Sequence, residues 1–252
     1  MMIRVLTFNT LFKGRTRDRI EALAGVLDDS DHDIVCLQEV ISPFILARLR
    51  SLTPSYPHMA RAWAFPLVRG GLVTLSRWPI TRIHYEPFTP APPARPEWLL
   101  NKGALFTRIK LPSGHLTVVN THLSANMDMD WSPSNAYTKA EQAELDRLAT
   151  AIRRIDQAEP LVAMGDFNVP RDSPYFATFA SAAGLHDALA GSTEPTYRPD
   201  YADIGAIDQL LHSPGLDAEA RVVFKDEVRL PNGDRAPLSD HYGIAADLHL
   251  TD

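Results

Sequence analysis

The 252-residue chain has one cysteine, no excess of basic residues and no internal repeat, and no apolar run approaches the roughly 20 residues that span a bilayer as a helix. Each absence removes a class of protein. A single thiol, Cys36, cannot close an internal disulfide, so a disulfide scaffold is excluded; within "DIVCLQEV" it reads as a small buried hydrophobe, and a reducing compartment is the default. The net charge of −6 gives no overall pull toward DNA or an acidic membrane. The opening "MMIRVLTFNT" has no charged n-region, long apolar core or small-residue cleavage site, so the expectation is a cytoplasmic protein without a transmembrane segment. What remains is ordinary globular composition, 45% hydrophobic and 22% charged, with material for a real core.

Runs rich in aliphatic and β-branched residues predict strands over Ile3–Phe8, Ile34–Leu37, Leu72–Ser76, Ala104–Ile109, Leu116–Asn120, Leu161–Met164, Ala206–Leu211 and Tyr242–Leu250. Helical spacing joins Ile20, Leu23, Ala24 and Leu27, and again Leu145, Leu148, Ile152 and Ile155 after a Thr138/Glu141 capping-box pattern. Ser173 and Pro174 open a third helix that Gly184 closes. Strands in succession at the centre, with helices interleaved toward both ends, suit two sheets packed face to face with helices outside. The Pro-rich "PFTPAPPARP" lies between candidate strands and reads as a rim loop, leaving one domain over 1–252.

The chemistry sits at the ends of the apolar runs. "IRVLTFNT" ends on Asn9, "DIVCLQEV" reaches Glu39, "LTVVNTHL" reaches Asn120 and His122, "LVAMGDFN" reaches Asp166 and Asn168, "AIDQLL" carries Asp208, and "LSDHYGIAADLHL" begins with Asp240 and His241. Residues two apart on an extended segment point the same way, so Asp166 with Asn168, and Asn120 with His122, are expected to face one site. Carboxylates and carboxamides without thiolates are the ligand set of a hard cation such as Mg²⁺, and two histidines beside them supply groups that titrate near neutrality.

The ordered series "FN", "LQE", "GGLVTLSRWPI", "NTHL", "GDFN", "IDQLL", "SDHY" resembles the endonuclease/exonuclease/phosphatase superfamily, the deoxyribonuclease I-like fold, over nearly the whole chain. The resemblance implies a four-layered α/β/β/α sandwich of two mainly antiparallel sheets, with a site at one end that hydrolyses phosphate esters using Mg²⁺, or Mn²⁺ in its place. It makes Glu39 the principal metal ligand, with Asn9 close by and Asp240 supporting it. Asp166 and Asn168 position or activate the attacking water, Asp208 orients His241, and His122 and His241 contact the phosphoryl group. Several nucleases of the family carry an acid two positions after the motif asparagine; here that place is Leu11, which puts a second metal in question. "NKGALFTRIKLPSGHLTVVNTHLSA" resembles the neutral sphingomyelinase branch and implies Lys102 as a phosphate contact, with Asn120 beside it. The expected substrate is a phosphodiester, a phospholipid or other small ester. DNA or RNA cleavage, an inositol-phosphate phosphatase and an inactive binding protein are the alternatives.

Two further stretches border the expected site. "KGRTRDR", Lys13 to Arg19, reads either as a solvated loop and helix start or as a secondary phosphate contact, because Arg17 and Arg19 in a first helical turn oppose the macrodipole. In "ANMDMDW", Met127, Met129 and Trp131 either pin a loop or form an apolar lip, as do Trp98, Leu99 and Leu100. Among nine histidines only His122 and His241 lie in motifs.

Overall fold

The structure, a computed structural model, describes residues 1–94 and 96–250. One six-stranded sheet contains β1 (Met2–Asn9), β2 (Ile34–Gln38), β3 (His58–Ala64), β4 (Leu67–Ser76), β11 (Leu216–Val223) and β14 (Gly243–Leu250), ordered β11-β14-β1-β2-β4-β3. The other contains β5 (Ile80–Pro87), β6 (Gly103–Leu111), β7 (Gly114–His122), β8 (Leu161–Asp166), β9 (His186–Asp187) and β10 (Asp208–His212), ordered β5-β6-β7-β8-β10-β9. β12 (Val228–Arg229) and β13 (Arg235–Ala236) form a separate ribbon. Within the two sheets only β1 with β2 and β7 with β8 run parallel.

Alternation along the strands builds three apolar layers. Ile3 and Val5 of β1, Cys36 of β2, Val118 of β7, Val162 and Met164 of β8 and Leu210 of β10 meet between the sheets. The opposite face of the first sheet, with Leu6, Phe8, Val35 and Leu37, packs on α1 (Thr16–Asp28) and α2 (Pro43–Leu52). Val119 and Ala163 on the outer face of the second sheet pack on α3 (Ala136–Arg153) and α4 (Pro174–Ala183). This is the expected four-layered sandwich. Each large side chain so buried contributes about 1.5–3 kcal/mol, which is why the two-residue period governs what each strand end can show. Among the described residues, no helix is long and apolar enough to cross a membrane.

Several elements lacked a readable pattern. Edge strand β5 has exposed residues on both faces from Thr81 to His84, and β11 alternates weakly against solvent, so neither shows the apolar run that marks a buried strand. The third helix begins at Ser173 and closes on left-handed Gly184 as expected. The capping box at Thr138 does not form: Asn135 is the N-cap of α3, its side chain accepting from the Tyr137 and Thr138 amides. Within "PFTPAPPARP", Phe88 is buried in the apolar layer beneath α3, and the loop leads on to a 3-10 turn, Pro96–Leu100; Arg95 lies outside the described residues.

Candidate active site

The same parity that fills the inter-sheet core with Val5, Val118, Met164 and Leu210 aims Asn9, Asn120, His122, Asp166 and Asp208 into that interlayer. Strand registers put these ends at one edge of the sandwich: Asp166 lies opposite His122 on one side and Asp208 on the other. Asn9 bridges the sheets, its amide nitrogen donating to Asp166 Oδ2 at 2.9 Å and to Glu39 Oε1 at 3.3 Å. Its carbonyl oxygen accepts from the Leu11 amide. Glu39 and Asp166, from different sheets, therefore meet through one carboxamide.

Glu39 needs a special backbone to get there. Gln38 already points inward, so an extended residue 39 would point out; a left-handed φ of 64° turns it back, and Oε2 accepts from the Phe12 amide at 2.8 Å. Gly71 makes room for that turn, since a Cβ there would lie 3.0 Å from the Glu39 Cα. A second glycine serves Lys102. At Gly103 a Cβ would lie 2.4 Å from the Glu86 carbonyl oxygen and 2.9 Å from the Tyr85 ring. That close approach carries Lys102 inward, where Nζ donates to the Leu123 carbonyl at 2.7 Å and to His122 Nε2 at 2.9 Å.

On the other flank, His241 Nδ1 donates to Asp208 Oδ2 at 2.9 Å, and its Nε2 lies 3.9 Å from Asp166 Oδ2. Asp208 is aligned through its backbone: Thr196 Oγ1 accepts from the Ile207 and Asp208 amides. Burial alone would lower the His241 pKa, but Asp208 and Asp166 outweigh it and hold the ring protonated well above the ordinary histidine range. His122 goes the other way: burial first, then Lys102 and His241, push it well below. Burial, with Asp208 adding to it, raises the Asp166 carboxyl.

The donor set suits a hard divalent cation. Asp166 and Asp208 bring carboxylate oxygens within 4.8 Å of one another beside the protonated His241 ring, and Asp208 Oδ1 is buried without a hydrogen-bond partner. Glu39 stands across Asn9 from them, and Asp240 Oδ1 lies 4.0 Å from His241 Nε2. Thiolates are absent: the one cysteine is buried between the sheets. Asn168 keeps a left-handed φ of 52° and donates its side-chain nitrogen to the Leu123 carbonyl, while its own amide donates to Asp166 Oδ1.

One expectation is corrected, and one choice left open by the sequence is decided. Asn120 is not at a phosphate: Oδ1 accepts from Gln38, and Nδ2 donates to the Leu37 and Val73 carbonyls, so it cross-links the sheets one step deeper than His122. Nor do the arginines of "KGRTRDR" await an anion. Arg15 pairs with Asp234, Arg17 with Glu21, and buried Arg19 donates to the carbonyls of Thr10, Leu11, Lys13 and Leu238, holding the loop after β1. Trp131 pins its loop, donating to the Asn168 carbonyl, whereas Met127 and Met129 of the same loop stay exposed.

Sequence reasoning missed Tyr197. Its hydroxyl donates to Asp240 Oδ2 at 3.3 Å, and its ring meets His241 edge-on at 5.0 Å. The signal available was "TYRPDY" just ahead of the Asp208 strand, a pair of tyrosines in a segment without apolar period.

Over 296 aligned positions the chain is 28% identical to the inositol phosphosphingolipids phospholipase C of Schizosaccharomyces pombe, covering 98% of this chain and 68% of that protein. Its fold is similar to the crystal structure of SmcL, with a TM-score of 0.82 at 16% identity, and to that of a Staphylococcus aureus beta toxin mutant with bound magnesium ions, 0.80 at 16%. Both likenesses cover 98% of this chain and 99% of the other. Residues 6–241 match the family described as Endonuclease/Exonuclease/phosphatase, and with that match the chain belongs to this family of phosphoesterases.

Proposed function

We propose that the chain is a Mg²⁺-dependent phosphodiesterase, with Mn²⁺ as substitute, that cleaves the head-group phosphodiester of a phospholipid. The observation that carries this reading is the meeting of Glu39, Asn9, Asp166 and the Asp208–His241 pair at one mouth between the sheets. Glu39 would hold the cation, with Asn9 beside it and Asp240 supporting it. When bound, the metal supplies Lewis-acid stabilisation of negative charge on a phosphoryl or leaving oxygen.

The residues divide the remaining work. Asp166, its proton affinity raised by burial and fixed by Asn9 and the Asn168 amide, takes the proton of the attacking water. Protonated His241, kept in its tautomer by Asp208, faces the charge that develops on phosphorus oxygens. Neutral His122 and the Lys102 ammonium form the opposite wall. Water oxygen joins phosphorus in line as the bond to the lipid oxygen breaks, leaving a lipid alcohol and a phosphomonoester. A lipid ester is favoured by the 28% identity to an inositol phosphosphingolipids phospholipase C along almost the whole chain, and by an acidic net charge that a nonspecific nuclease would not favour.

Sphingomyelin, phosphatidylcholine, phosphoinositides, plasmid DNA, RNA and a chromogenic diester, each with Mg²⁺ or chelator, test the reading. Metal-dependent lipid turnover that disappears in Asp166→Asn and His241→Ala is expected. Turnover insensitive to chelator would remove the metal role, and preference for DNA or RNA would replace the substrate.

A further inference from the structure

Several of the large apolar side chains left exposed among the described residues lie at the site end of the sandwich, on loops or at the ends of regular elements. The extreme case is Phe65, 96% exposed at the turn between β3 and β4, with exposed Trp63 two residues before it in β3. Phe44, 86% exposed, begins α2 beside the same turn, because the Val68 amide donates to the Ile41 carbonyl. Leu99, 77% exposed, comes from the 3-10 turn that packs on β4. Three chain segments thus converge to present bare apolar tips on one flank of the mouth. An aromatic ring of about 150–250 Å² held in water at a hairpin tip adds nothing to the fold.

The charges beneath the tips identify the occupant. Arg61 and Arg69, on the two strands of this hairpin, have no carboxylate partner among the described residues, unlike Arg108 with Glu159 and Arg147 with Glu86. Arg61 lies over the Trp63 ring at 4.8 Å and Arg69 over the Tyr85 ring at 5.0 Å, and both Nε atoms are buried without a hydrogen-bond partner. Apolar tips with unpaired guanidiniums set back behind them match a bilayer's own layering, acyl chains inside and phosphates just outside. Separated tips suit a fluid surface that admits each one independently; a folded partner would need one continuous complementary face. We infer that the β3–β4 hairpin, with Phe44 and Leu99, docks on a phospholipid bilayer, and that Arg61 and Arg69 meet its phosphates. This deepens the lipid reading above and rests on it for its purpose, so binding is to be measured apart from turnover.

Flotation of the catalytically silenced Glu39→Gln chain with phosphatidylcholine vesicles measures binding without consuming lipid. Adding Phe65→Ser and Phe44→Ser should reduce the vesicle-bound fraction at least tenfold, and Arg61→Gln with Arg69→Gln should reduce it several-fold. In the otherwise unaltered enzyme the two Phe→Ser changes should leave turnover of a soluble chromogenic diester unchanged, which also reports that the fold is intact. Phe65→Cys carrying an environment-sensitive fluorophore gives a second readout, since Cys36 is fully buried and will not label. A blue shift on vesicles is expected. Vesicle binding in a chain that turns over no diester would sink the activity while upholding the docking surface. Undiminished flotation of the Phe→Ser variant, a fluorophore unmoved by vesicles, or self-association that Phe65→Ser abolishes in place of flotation would each overturn the proposal.

Discussion

The two ends of the same strands treat charge in opposite ways. At the end away from the site, carboxylates are matched by arginines: Arg4 meets Asp31 and Asp247, and Arg108 meets Glu159, which also accepts from Thr117. At the site end, Asp166 and Asp208 have histidines, a carboxamide and backbone amides for neighbours, and burial raises the Asp166 carboxyl instead of pairing it away. Incomplete neutralisation is what leaves room for a cation and a phosphate. A polar residue at a strand end is therefore informative only when its partner is known.

The comparison breaks most visibly under charge removal. Glu39→Gln and His241→Ala should each lower kcat by about a hundredfold to ten-thousandfold at unchanged fold. Glu159→Gln, at the far end, should leave kcat within about twofold. Steady-state rates on a soluble diester, with circular dichroism for the fold, decide it; a far-end loss matching the site-end loss would dissolve the contrast.

Backbone space gives the next effect. Gly71→Ala brings a methyl group to 3.0 Å from the Glu39 backbone at a φ of +64°, so about 1–3 kcal/mol of strain must be relieved by moving Glu39. The expected result is a tenfold to hundredfold loss of kcat with a raised metal requirement. Gly25→Ala in α1 meets nothing within 4 Å and should stabilise by about 0.5–1 kcal/mol without touching activity. Metal titration of the rate and thermal melts separate the pair.

These contrasts mark how far residue order alone reaches. Strands buried on both faces, such as β2 and β8, were visible because the fold demands an unbroken apolar run there, and the polar groups at their tips stood out against it. Edge strands β3 and β5, half in water, carry no such demand. Asn120 was misjudged because parity states which way a side chain points and not how deep it lies; Gln38, in β2 of the facing sheet, takes up its oxygen. Tyr197 was hidden because its loop is positioned by pairings distant in sequence, among them a bridge to His241, 44 residues away, that no local pattern encodes.

Asp208 tests the electrostatics more gently. The folded His241 pKa stands above its ordinary value near 6.5, at about 10, with Asp208 the largest raising influence, so the protonated ring favours the fold. The sign follows: this stability is fully present below pH 6.5 and is lost as pH rises toward 10. Asp208→Asn should bring the ring's NMR titration in the metal-free protein down toward neutrality and flatten that part of the stability profile. An unshifted titration would mean that Asp166 alone holds the proton.

The smallest effect is the one that tells a rim charge from a site charge. Arg17 is mostly exposed, and Glu21 Oε1, one helical turn on, accepts from both Arg17 and Arg48. Its charge is therefore matched within the helix layer, as the far-end arginines are matched within theirs. Arg17→Ala leaves Arg48 on Glu21, so Tm should move by about 1 °C or less. KM for the soluble diester should be unchanged, because the guanidinium is directed to Glu21 and not to the mouth. A several-fold rise in KM that added salt abolishes would show instead that this rim steers anionic substrate, and the boundary between paired and unpaired charge would have to be redrawn to include the first turn of α1.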